Sequence, residues 1–63
     1  MNMKYFEYEH LPSDLQTVSK RFAELAQHIT TFVPSVEREM ALRKLLEAKD
    51  CAVRASMEKD GYF

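Results

Sequence analysis

Residues 41–55 read Ala41-Leu42-Arg43-Lys44-Leu45-Leu46-Glu47-Ala48-Lys49-Asp50-Cys51-Ala52-Val53-Arg54-Ala55, and this run decides the fold. No Gly, Pro, Asn or Thr interrupts it and most of its residues are strong helix formers, so a continuous helix is expected. Ala41, Leu45, Ala48, Ala52 and Ala55 recur at spacings of 4-3-4-3 and lie along one side. That side is mostly alanine and admits close approach of a partner helix. Leu42, Leu46 and Val53 form a second, bulkier stripe beside it. An apolar surface this wide is more than one partner helix usually covers. The expectation is two kinds of neighbour, one within the chain and one from another copy.

Upstream of this run, Pro34-Ser35 makes a turn, with Ser35 as helix cap and Glu37 and Glu39 in the first turn. The second helix is therefore expected over 36–57. Before the turn, Leu15, Val18, Phe22, Leu25, Ile29 and Phe32 are spaced 3-4-3-4-3, an a/d seam for one antiparallel partner. Ser13 with Gln16 three residues on reads as a capping box, and Asp14 suits the positive helix end. Pro34 ends the element, so the first helix is expected over 14–32. A turn of 33–35 forces the helices antiparallel.

The first twelve residues do not read as helix. Tyr5, Phe6 and Tyr8 favour extended backbone, and Leu11 is held extended by Pro12. An extended arm over 1–12 is expected, pairing at most as a short strand. A terminal tail follows over 58–63. The fold class is thus all-α, an antiparallel two-helix hairpin with an extended N-terminal arm, assembling into a compact helical homo-oligomer as a single domain.

The bulk numbers support assembly. Sixty-three residues bury a small core, and such chains usually need an extra source of stability. Disulfides cannot supply it, because Cys51 is the single cysteine, and it reads as a small buried hydrophobe. Cys51, His10 and His28 have no metal-ligand spacing, so neither metal nor cofactor is expected. A net charge of -1 argues against a DNA- or RNA-coating protein. No signal peptide or membrane-spanning run is read, and the expectation is a small soluble cytoplasmic protein.

No catalytic motif stands out, and a two-helix hairpin has no deep cleft, so an enzyme is not expected. On the second helix, Glu39 with Arg43, Arg43 with Glu47 and Asp50 with Arg54 are four apart and read as surface pairs. Lys20 and Arg21 are less compensated, and Lys44 sits between the two apolar stripes. Such cations beside an aromatic arm suit a phosphate carrying a base, with an arm aromatic stacking on that base. The aromatics equally serve to cover the end of a two-helix core.

The arm Phe6-Glu7-Tyr8-Glu9-His10-Leu11-Pro12 and the run Ala41-Leu42-Arg43-Lys44-Leu45-Leu46-Glu47-Ala48 resemble a family of small helical-hairpin proteins of bacteriophages. These are the anti-CBASS cyclic-oligonucleotide sponges, whose hairpin domain is shared with one type of anti-Thoeris sponge. The similarity covers roughly residues 6–56, with one extra residue between Tyr8 and His10. It implies an oligomer, typically a hexamer, that holds cyclic dinucleotides such as cyclic GMP-AMP between protomers without cleaving them. It also implies action in the host cytoplasm during infection, and in some members a separate pocket for cyclic trinucleotides. By the resemblance, Tyr8 stacks on a base with Phe6 or Tyr5 behind it, Lys20 holds phosphate, and Arg54 serves the trinucleotide pocket. The candidate ligand-binding set is then Tyr8, Lys20, Phe6, His10, Arg21, Lys44 and Arg54. Two alternatives stand beside it: a helical module docking on a host or virion protein, and a small nucleic-acid-binding regulator, which the charge balance disfavours.

Overall fold

The computed structural model describes residues 1–58; the expected tail lies, beyond Glu58, outside the described residues. These form a 3-10 turn, Met3–Phe6, followed by helix α1, Ser13–Ile29, and helix α2, Val36–Ser56. No strand occurs among the described residues. The extents of 41 × 25 × 14 Å leave room for little more than a single layer of helices.

Helix α2 starts as its sequence dictates. The Ser35 hydroxyl accepts from the Arg38 N–H at 3.0 Å, and Glu37 and Glu39 occupy the first turn. Helix α1 begins at Ser13, one residue before the expected start, and the capping box does not form. Its N-cap is Pro12, whose carbonyl accepts from the Leu15 and Gln16 N–H groups. Proline has no N–H to leave unsatisfied at this boundary. Gln16 instead donates its amide to the Leu11 carbonyl at 2.8 Å and the Glu9 carbonyl at 3.1 Å, tying the arm to the helix start.

Helix α1 also ends early, at Ile29 rather than Phe32. The hydroxyls of Thr30 and Thr31 donate to the carbonyls of Gln27 and His28, each at 2.6 Å. Arg38 then reaches back from α2 and donates through Nη1 to the carbonyls of Thr30 and Phe32. With the last carbonyls answered this way, the helix stops before Pro34 can interrupt it.

The buried face of α1 is not the expected seam. Ser19, Ala23 and Ala26 are buried, Leu15, Val18, Phe22 and Ile29 are half-buried, and Leu25 and Phe32 are exposed. The burial centre has rotated by about one residue, because two alanines let the other elements approach closely. Phe6, 2 % exposed, and Leu42, 1 % exposed, fill that space, with Met3, Tyr8, Ile29, Leu45 and Leu46 packed around them. Leu42 is thus core and cannot form an outer docking stripe with Leu46 and Val53. The alanine stripe keeps Ala41, Ala48 and Ala55 exposed.

The arm is not extended throughout. Asn2 Oδ1 caps the 3-10 turn by accepting from the Lys4 N–H at 3.0 Å, and the turn inserts Phe6 into the core. Burial of the Phe6 ring outweighs the local preference for extended backbone. The expected four-apart ion pairs on α2 are likewise absent. Among the described residues the ion pairs are the Met1 amine with Glu39 at 2.8 Å and Lys49 with Asp50 at 3.4 Å. Arg54 donates instead to the sulfur of Cys51 at 3.4 Å, and Cys51 is exposed rather than buried. Exposed helix pairs contribute so little that such competitors displace them.

Candidate ligand-binding site

The fold divides six of the seven candidate residues among three open depressions. The first, of about 370 Å³, lies where the 3-10 turn meets both helices. His10 and Arg54 line it, together with Lys4, Tyr5, Glu7, Leu11, Ser19, Lys49, Asp50 and Val53. The second, of about 110 Å³, is lined by Phe6 and Tyr8 with Met3, Glu7, Glu9, Ala23 and Gln27. The third, of about 360 Å³, is lined by Thr17, Lys20, Arg21 and Glu24, all of α1. Lys44 lines none of the three and is exposed on α2.

Each placement follows from local structure. Tyr8 sits just beyond the 3-10 turn, in a loop closed by the Leu11 N–H donating to the Tyr8 carbonyl at 3.0 Å. Its ring is half-buried against the core, so part of it faces outward. Phe6 is packed inside, with no ring face free in the protomer. Lys20 and Arg21 are exposed and make no ion pair among the described residues. Their charges are therefore available to an anion.

The first depression is the one with internal order. Lys49 extends from α2 to donate to the Tyr5 carbonyl at 2.8 Å, with its side chain largely covered. Ser19 lines the same depression, and its hydroxyl is fully buried without a hydrogen-bond partner among the described residues. Lys4, Ser19 and Lys49 were not legible as site residues. Ser19 lies one position from the Val18 seam, and the Lys49 partner is 44 residues away in sequence.

Glu39 is held below its ordinary carboxylate range, first by the hydrogen bond from the Met1 amine and then by charge attraction to that amine, Arg38 and Arg43. It lies among none of the residues lining the three depressions. Among the described residues, no three His, Cys, Asp or Glu side chains gather as a metal site would. No described helix is long and apolar enough to cross a membrane. The arrangement suits binding of an anion that carries a flat ring, through charge-assisted hydrogen bonds and stacking. No family model matches the chain, and neither a curated protein nor a solved structure matches it.

Proposed function

We propose that the chain is a non-enzymatic phage anti-defence sponge. It binds cyclic di- or oligonucleotide second messengers such as cyclic GMP-AMP in the host cytoplasm and sequesters them, blocking CBASS-type immunity. The sequence resemblance over residues 6–56 supports this reading. It takes α1 and α2 as an antiparallel hairpin. In support, Arg38 bonds to Thr30 and Phe32, Leu42 shares a core with Ala23 and Ala26, and Val53 lines a depression with Ser19.

The observation that carries the proposal is the separation of Tyr8 from Lys20 and Arg21. The outward part of Tyr8 and the unpaired cations occupy different open depressions of one protomer. Neither depression alone encloses a nucleotide. A second copy, docked through the exposed alanine stripe and Leu25, would bring a cation pair to an aromatic. A cyclic dinucleotide has two phosphates and two base faces in approximate two-fold symmetry, and a symmetric interface offers matching pairs of groups. Arg54 and His10, in a different depression, would serve cyclic trinucleotides, and Lys44 would border the subunit contact. The assembly is a homo-oligomer, a hexamer by the resemblance.

Native mass spectrometry with a panel of cyclic di- and trinucleotides tests this directly. An oligomer gaining intact ligand near one per dimer is the expected result. An oligomer that takes up none of the panel overturns the reading. The second reading, a module docking on a host or virion protein, is favoured by Val33, 82 % exposed, beside exposed Phe32 and Val36. It predicts that polar substitutions at Val33 and Val36 abolish function while the nucleotide panel stays unbound.

A further inference from the structure

We infer that Glu9 reads the base that stacks on Tyr8, and that the base it selects is guanine. This rests on the sponge reading and deepens it, by naming which cyclic dinucleotides the Tyr8 depression prefers.

The first observation is a segregation of charge. The Tyr8 depression is lined by two carboxylates, Glu7 and Glu9, and by no cation. The Lys20–Arg21 depression holds two cations against the single carboxylate of Glu24. A phosphate is repelled from the former and attracted to the latter. What enters beside Tyr8 is therefore the uncharged part of a nucleotide, its base. At about 110 Å³ the depression is well below the usual size of a small-molecule site. It has room for one flat ring, with sugar and phosphates left outside.

The second observation is the way Glu9 is held. Its carbonyl accepts from Gln16 Nε2 at 3.1 Å, which ties residue 9 to the start of α1. Its Oε2 accepts from the Tyr8 N–H at 3.2 Å, while Oε1 makes no hydrogen bond among the described residues. The carboxylate is thus fixed at the backbone of the residue whose ring does the stacking, and both line one depression. Glu7, which forms no ion pair among the described residues, adds negative potential there.

An ionised carboxylate only accepts hydrogen bonds, and its two oxygens have lone pairs for several donors. Guanine carries two neighbouring donors on one edge, N1–H and the 2-amino group, and meets a carboxylate with two parallel bonds. Bonds of this paired, charge-assisted kind are the strong ones. Adenine presents an N1 acceptor on the same edge, which a carboxylate repels. Uracil offers one N–H between two carbonyls. Among the common bases, guanine alone matches an acceptor-only wall beside a stacking ring.

The test is calorimetric titration of the whole chain with cyclic di-GMP, cyclic GMP-AMP, cyclic di-AMP and cyclic di-IMP. Hypoxanthine, the base of the last, keeps N1–H and lacks the 2-amino group. Cyclic di-GMP should bind about tenfold or more tighter than cyclic di-AMP, the usual loss for a hydrogen bond to a charged group, with the other two between them. Glu9→Gln, at an exposed position, keeps an acceptor for the Tyr8 N–H and should match the parent in melting temperature. It should weaken cyclic di-GMP by about tenfold and leave cyclic di-AMP nearly unchanged. Equal affinity of the parent for cyclic di-AMP and cyclic di-GMP would overturn the inference, as would a guanine preference that survives in Glu9→Gln. Equal weakening of both ligands in the variant would also overturn it, by showing that Glu9 only seats Tyr8. Each of these outcomes leaves the sponge reading standing. A parent protein that takes up no cyclic nucleotide removes the sponge reading, and this inference with it.

Discussion

The ammonium of Lys49 donates to the backbone carbonyl of Tyr5 at 2.8 Å, joining α2 to the 3-10 turn across 44 positions of sequence. Phe6, the next residue, is seated in the core beside Leu42. The tie and the buried ring together turn a polar, aromatic N-terminal stretch into part of the folded domain. Lys49→Met keeps the aliphatic stem and removes the donor. It should cost about 1–2 kcal/mol, as expected for a hydrogen bond from a charged group. Hydrogen exchange at residues 3–6 should rise, and unchanged protection there would show that Phe6 alone holds the arm.

Phe6→Ala should be far more damaging. It removes the largest buried side chain of a small core and should cost about 3–4 kcal/mol, a large fraction of the stability of a small domain. Tyr5→Ala, at an exposed neighbour, should stay within about 0.5 kcal/mol. Urea denaturation of the two variants reads the contrast, and equal losses would contradict the placement of Phe6.

Lys20→Glu reverses an exposed charge that supports no ion pair among the described residues. It should leave the melting temperature within a few degrees and weaken a cyclic dinucleotide by about tenfold or more. Tyr8→Ala should weaken the same ligand through lost stacking, by about 1–3 kcal/mol. Calorimetric titration decides, and unchanged binding in both variants would remove Tyr8 and Lys20 from the site.

Ala48→Glu places a charge on the exposed alanine stripe without touching Leu42. Under the proposed assembly it should yield folded, helical protomers of lower mass by light scattering. Retention of the parent mass would move the subunit contact elsewhere, to Leu25 or the Val33–Val36 corner.

Glu39 predicts an acid limb of stability. Its carboxyl is held low by the Met1 amine, so the unfolded chain binds a proton there more readily than the folded one. The stabilisation is complete above the ordinary carboxylate range, roughly pH 4 to 5. It is lost as pH falls through the lowered folded value. In Glu39→Gln this part of the pH dependence should be missing. Denaturation from pH 6 down to pH 3 tests it: the two proteins should differ at the top of that range and converge toward the bottom.

Much of the backbone was legible because its causes are local. The uninterrupted run from Ala41 to Ala55 and the Ser35 cap predicted α2 to within a residue of its end. The Leu15–Ile29 periodicity predicted α1, though its last turn was lost to the Thr30 and Thr31 hydroxyls and the reach of Arg38. That Lys20 and Arg21 have Glu24 as their one acidic neighbour within a helical turn was also readable, and no ion pair forms there among the described residues.

Tertiary structure decided everything that depends on who approaches whom. Periodicity favoured the bulky seam, yet the innermost positions went to Ser19, Ala23 and Ala26, because small side chains allow close contact and Phe6 and Leu42 supply the volume. The arm's aromatics parted company for the same reason: one ring fits the space the alanines leave, so Phe6 is buried while Tyr5 and Tyr8 face outward in full or in part. Sequence by itself thus determined which segments are helical, but not which charges pair, since the four-apart pairs expected on α2 do not form among the described residues. Packing alone determined which faces are spent inside the chain, and so which residues remain to meet a ligand or another copy.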